Sequence, residues 1–275
     1  MRLLPLLLAL SILLCTCGPA QDEVPQTGPI TLTRDSISLT VDPTYGGRIV
    51  SLTYGGREIL NTERDSSGFT YGSTAWPSPQ SDWQWPPPAA IDSEPYTVQK
   101  VDTHSVLLIS RPTPTGLVMQ KRFRLGPASD IGLTYWLTNK GDSTRFVAAW
   151  EVTRLPYGGR VEFRADSVRV APRQQVVDSR DSLRRIHFDD RHTKAAKVFA
   201  NLISIPASYY RDGLVLHKET VVTDFYRVAP DQAPLEIYLE PQRKFVELEL
   251  QGDVRELDYG ETATLRTRWV VGAGQ

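Results

Sequence analysis

The chain has 275 residues, 31 Lys+Arg against 32 Asp+Glu, a formal net charge of −1, and 40% hydrophobic and 23% charged residues. That composition supports a sizeable core and excludes wholesale disorder, while the near-zero charge argues against a generic nucleic-acid or anionic-membrane binder. Among the basic residues 24 are Arg, a side chain suited to bidentate carboxylate recognition and ring stacking and equally a product of GC-rich codon usage.

At the start of the chain, Arg2 precedes an apolar run from Leu3 to Leu14. The run is short of the ~20 residues that span a bilayer, and small residues follow it, which is the pattern of a secretory signal. The segment Leu14-Cys15-Thr16-Cys17-Gly18 resembles a bacterial lipobox with Cys17 as the lipidated residue and Cys15 as the weaker choice. Residues 1–16 then read as signal peptide, 17–29 as lipidated Cys and polar, Pro-containing tether, and 30–275 as a single domain. The expected location is the bacterial cell envelope, lipid-anchored at the periplasmic face or the outer membrane, with no second membrane segment. Both cysteines fall in the signal region, so the folded part is expected to hold neither a disulfide nor a thiol catalyst.

From Ile30 onward strand patterns dominate. Ile30–Thr33 and Ser36–Asp42 alternate apolar and polar residues, and Arg48–Tyr54, Gly55-Gly56 and Arg57–Leu60 spell a hairpin. Further strands are predicted at Tyr96–Val101, Ser105–Arg111, Leu117–Leu125, Ile131–Asn139, Phe146–Arg154 and Val161–Phe163. The series continues with Leu214–Thr220, Leu235–Tyr238, Phe245–Leu250 and Thr262–Val271. Only Asp181–Asn201 leaves room for a helical turn or two. A dozen or so antiparallel strands without a fixed repeat predict an all-β fold, a large β-sandwich, expected as a monomer. The one long break, Thr62–Pro95, reads as a loop, and it holds three of the six Trp: Trp76, Trp83 and Trp85. Its Pro content predicts a stiff, ordered segment, and loops of this length are functional or disordered.

Three stretches carry a family resemblance. Ile37–Pro43, Gly46-Gly47-Arg48-Ile49-Val50-Ser51-Leu52 and Gly56-Arg57-Glu58-Ile59-Leu60-Asn61 resemble the opening of galactose mutarotase-like domains. The Trp76-Pro-Ser-Pro-Gln80 and Trp83-Gln-Trp85-Pro-Pro pattern, with Trp150–Arg154 and Val246–Gly252, resembles an uncharacterised bacterial family of that superfamily, the domain of unknown function 4380. The likeness runs from Ile30 to Val271 and implies a galactose mutarotase-like supersandwich whose concave sheet holds sugar in the better-known relatives. Fold alone does not choose among epimerases, lyase domains and binding modules.

The candidate site residues follow from both lines. Trp76, Trp83 and Trp85 offer apolar platforms for a pyranose, with Gln80 ready for hydroxyls; equally, Trp76 and Trp85 plug one end of the sandwich. Arg48, inside the Gly-Gly-Arg motif, and Arg154 join the ligand-binding candidates. In Ala148–Arg154 alternation puts Trp150, Val152 and Arg154 on one face and Glu151 and Thr153 on the other. A Glu in so apolar a strand is costly unless paired, so Glu151 is either a buried salt bridge or a site carboxylate. Glu247 and Glu249 share a face opposite Val246, Leu248 and Leu250, and carboxylates at i and i+2 lie ~6.5–7 Å apart, as paired acid–base groups do and as any solvated strand face does. The mutarotase resemblance places a catalytic Glu in the C-terminal part of the fold, which Glu247 or Glu249 would occupy. His217 and Lys218 fall on opposite faces of one strand, His217 as a possible acid or a structural residue and Lys218 as a ligand for a carboxylate or sugar oxygen. His187 and His192 match no metal spacing, and no phosphate loop or nucleophile elbow is present, so neither metal nor cofactor is expected. The expectation is a carbohydrate-binding domain in glycan capture or processing, with two alternatives: a carbohydrate-active enzyme using a Glu base, or an envelope interaction module with a decayed sugar site.

Overall fold

A computed structural model of the chain describes residues 28–64, 70–220 and 227–274. Cys15, Cys17, the signal and most of the tether lie outside the described residues. Within them are nineteen strands and two short helical turns, Gln80–Asp82 and Ala89–Asp92, and every strand pairing is antiparallel. None of the described helices is long and apolar enough to cross a membrane.

The strands form two layers around one core. In the first layer Ser73–Ser78 pairs with Arg145–Pro156, which pairs with Phe245–Gln251. That strand pairs in turn with Leu235–Glu240, which pairs with the start of Ala196–Arg211. In the second layer Leu117–Leu125, Asp130–Asn139, Thr262–Ala273 and Leu214–Thr220 form one ladder, which reaches the far end of Ala196–Arg211. The sixteen-residue Ala196–Arg211 strand therefore belongs to both layers. Its ladder with Arg160–Ala171 shifts register three times between Glu162 and Ser167, and such irregularities bend and twist a strand pair. Inward residues such as Val161, Phe163, Leu216, Leu248, Leu250 and Leu265 alternate with outward ones and make the core.

The predicted strands Leu117–Leu125 and Leu214–Thr220 end where expected, and the Gly55-Gly56 hairpin forms with both glycines at positive φ. Two predictions need correction. Asp181–Asn201 holds no helical turn; it contains the Leu183–His187 strand and the first part of Ala196–Arg211. The stretch Thr62–Pro95 is not one loop, because Ser73–Ser78 is a strand of the first layer, buried along its whole length. Burial on both sides removes the polar alternation that marks a strand, and Pro77 argues against one. Pro77 is tolerated because the strand meets its second neighbour only at Ser73, opposite Ile49. Gly46 allows the adjoining turn to close: at φ +66° a Cβ there would stand 1.9 Å from the Asp92 carbonyl oxygen.

Candidate functional site

Cross-strand register arranges the outward face of the first layer in three rows. Arg154, Glu247, Tyr238 and Lys197 stand opposite one another in the first. Thr74, Val152, Glu249, Glu236 and Phe199 make the second. Trp76, Trp150 and Gln251 make the third. Residues directly opposite across a ladder share a face, so this one carries two indoles, three carboxylates, an amide, a guanidinium and an ammonium.

Over the third row sits the Trp-Pro segment. Trp76 meets Trp150 edge-on at 5.3 Å, Trp83 at 5.9 Å and Trp85 at 5.8 Å, between ring centroids. These are the offset geometries aromatic pairs prefer. The Trp83 indole N–H donates to the Pro77 carbonyl at 2.9 Å, which fixes its ring. Trp76 and Trp150 are buried, Trp83 is half-buried, and Trp85 is 55% exposed. Gln80 is exposed on the same segment. On one side of Trp83 a groove of about 560 Å³ is lined by Pro79, Pro88, Pro112, Thr113 and Arg145.

Charge on this face is paired but not exhausted. Arg154 Nε donates to Glu247 Oε1 at 2.7 Å, and its guanidinium carbon lies 4.9 Å from the Trp76 ring centroid. Lys197 Nζ bridges Glu236 at 2.6 Å and Glu249 at 3.1 Å, 4.8 Å above the Trp150 ring. Burial pushes the Glu249 carboxyl up to about 8, with Glu236 and Glu247 adding to it and Lys197 opposing. Burial draws the Lys197 ammonium down, but Glu249 and Glu236 outweigh it and hold it above the usual lysine range. Arg154 Nη1 and Nη2, Trp150 Nε1, Glu249 Oε1 and Gln251 Oε1 are all buried with no hydrogen-bond partner among the described residues. Each such group costs about 1–3 kcal/mol if it stays unpaired, and five of them gather on this one face.

Beside the Ser73–Ser78 strand lies a second buried group. Arg48 Nη2 pairs with Asp92 Oδ1 at 2.8 Å, the same oxygen that accepts from Trp76 Nε1 at 2.6 Å. Arg48 Nη1 donates to the Tyr71 carbonyl, and the rings of Tyr45 and Tyr71 lie 5.3 and 5.0 Å from its guanidinium carbon. Lys121 donates to the Gly46 carbonyl at 2.6 Å, and burial pulls it down to about 7 against the pull of Asp92. Arg48 thus positions Trp76 through Asp92.

Glu151, Lys218 and His217 do not join this face. Glu151 points into the space between the layers, where its Oε1 meets Lys218 Nζ at 2.6 Å with both side chains fully buried. Thr267 and Trp269 donate to the same carboxylate, and Lys218 also reaches Thr153 and the Leu248 carbonyl. Burial lowers the Lys218 pKa and Glu151 opposes it. His217, next along the strand, points to the outside of the second layer, where its Nδ1 lies 2.7 Å from Ser208 Oγ. So the site face holds Trp76, Trp83, Trp85, Arg154, Glu247 and Glu249 of the expected residues, with Arg48 behind them. The sequence reading missed Asp92, Lys197, Glu236 and Tyr238. Lys197 did leave a signal, as the one charge in Ala195-Ala196-Lys197-Val198-Phe199-Ala200.

Solved structures decide what this architecture is. A presumed aldose 1-epimerase of Escherichia coli K12 superposes with a TM-score of 0.66 at 17% identity, over 90% of this chain and 99% of its own. A galactose mutarotase-like protein of Lactobacillus casei gives 0.62 at 11% identity, over 89% of this chain and 100% of its own. A galactose mutarotase related enzyme of Lactobacillus acidophilus gives 0.61 at 10%, over 89% and 97%. The chain has the galactose mutarotase-like fold. At these identities the likeness establishes the mutarotase-like sandwich and nothing finer. In sequence, no family model and no curated protein matches the chain.

Proposed function

We propose that the outward face of the first layer binds carbohydrate beneath the Trp83–Trp85 segment, in an exported lipoprotein that captures or processes glycans. The observation that carries this reading is the contact of four indoles, two of them partly exposed, on a face where five buried polar atoms lack partners among the described residues. An indole face takes the C–H side of a pyranose, while convergent donors and acceptors take its hydroxyls. The names of the fold's solved neighbours, epimerase and mutarotase, support the same ligand class. Binding is preferred to turnover because His217 stands outside the second layer and Glu151 is locked on Lys218. Of the expected carboxylates, Glu247 and Glu249 are left on the face for any chemistry, beside Glu236.

A glycan array tests the reading. The chain is expected to retain a restricted set of saccharides, and Trp83→Ala to lose them at least tenfold with its circular dichroism unchanged. Retention of no saccharide, or retention untouched by Trp83→Ala, overturns it. The envelope part is tested separately by palmitate labelling in the producing bacterium. Label lost in Cys17→Ser and kept in Cys15→Ser is expected; unlabelled wild type refutes the anchor.

A further inference from the structure

We propose that the sugar taken by this face carries an oxyanion, a carboxylate or a phosphate, held by the two terminal nitrogens of Arg154. The proposal rests on the carbohydrate reading above and names the class of sugar. Arg154 is fully buried, its Nε is committed to Glu247, and Trp76 lies against its guanidinium plane. Its Nη1 and Nη2 are left without partners among the described residues. Two parallel N–H groups in a fixed plane match the two oxygens of a carboxylate or phosphate, and such charge-assisted pairs are roughly twice as strong as neutral ones.

The surroundings point to the same charge. Arg48 lies close enough to Arg154 to be disfavoured by it, though burial is the larger cause of its lowered pKa. Arg64 stacks on Tyr71 at 4.5 Å and reaches Tyr45 at 6.0 Å. Two of these guanidiniums hold carboxylates, Arg48 on Asp92 and Arg154 on Glu247. The Tyr71 hydroxyl, another donor, is buried without a partner among the described residues. Toward the other end of the face the unpartnered atoms include two acceptors, Glu249 Oε1 and Gln251 Oε1. A donor-rich end and an acceptor-bearing end fit a ligand with an anionic group at one side and hydroxyls at the other. A single hydroxyl would satisfy one of the two terminal nitrogens and leave the other unpaired, whereas an oxyanion satisfies both.

A cleft of about 600 Å³ is lined by Asn61, Glu63, Pro156, Tyr157, Asp189 and Lys244. Pro156 lies two residues beyond Arg154 on the same face of the strand. Because the fork itself is closed to water, side chains must move for the anion to reach it.

Titration calorimetry on the full chain tests the proposal with galactose and glucose, the matching hexuronates, the hexuronate methyl esters and the matching hexose 6-phosphates. The expected result is that a hexuronate or a hexose 6-phosphate binds at least tenfold tighter than its neutral parent. Which of the two does so separates carboxylate from phosphate. Arg154→Lys is expected to narrow the ratio below threefold. Should that variant not fold, the wild-type comparison remains decisive. If a hexuronate is preferred, its methyl ester, which keeps the shape and loses the charge, must fall to the level of the neutral hexose. If a hexose 6-phosphate is preferred, its advantage must shrink as NaCl rises from 50 to 500 mM. Neutral and anionic sugars binding alike overturns the inference and leaves the carbohydrate site standing. An anionic advantage that survives in Arg154→Lys also overturns it. Binding of neither kind at millimolar concentration removes both.

Discussion

Glu151→Ala is expected to lower the free energy of unfolding by about 3–5 kcal/mol, measured by urea denaturation at neutral pH. The carboxylate is fully buried between the layers and holds Lys218 at 2.6 Å. Removing it leaves an ammonium in the core with only the Thr153 hydroxyl and the Leu248 carbonyl. It also strips Thr267 and Trp269 of their acceptor. The loss is therefore that of an uncompensated buried charge, not that of a surface ion pair worth under about 1 kcal/mol. Replacing both partners by apolar residues, Glu151→Leu with Lys218→Met, is expected to recover most of the loss, because buried ion pairs rarely outperform well-packed hydrocarbon. A single-variant cost below about 1 kcal/mol would contradict the assignment of this pair to the structure.

Trp76→Ala has the second large effect, about 3–5 kcal/mol by the usual cost of deleting a buried Trp, together with complete loss of saccharide binding. The ring is 2% exposed and sits at the centre of the aromatic group. Its N–H supplies Asp92, the partner of Arg48, and its face supports Arg154. Truncation opens a cavity, leaves the shared Asp92 oxygen with Arg48 alone and frees Arg154 to tilt. The three tryptophans of the segment are thus expected to rank in stability by burial, with Trp76→Ala well above Trp83→Ala and Trp85→Ala near neutral. Thermal denaturation of the three variants checks the order. A Trp85→Ala cost equal to that of Trp76→Ala would refute it.

Much of this was legible in the sequence because strands alternate. In Ala148–Arg154 and Phe245–Gln251 the period of two separated Trp150 and Arg154 from Glu151, and Glu247 and Glu249 from Leu248. Alternation assigns faces within a strand but not which face meets the other layer. Glu151 therefore stayed open between a salt bridge and a site until its partner was found 67 positions away at Lys218. Ser73–Ser78 was invisible for a different reason: buried on both faces, it has no polar period, and Pro77 disguises it. Arg154 is legible as a cation, but its pairing with Glu247 depends on register between strands some ninety residues apart. Asp92 lies in a single helical turn of four residues, too short to leave a periodic mark.

The measurement that tests the central claim most directly is saturation-transfer NMR of the chain against a panel of neutral and anionic saccharides, repeated on Trp83→Ala and His217→Ala. The two side chains sit on opposite outer surfaces of the sandwich, so one variant reports the proposed face and the other controls for general damage. Transfer to at least one saccharide, abolished by Trp83→Ala and kept by His217→Ala, is predicted. Transfer to none of them, or transfer lost in His217→Ala and kept in Trp83→Ala, would contradict a carbohydrate site on the tryptophan face.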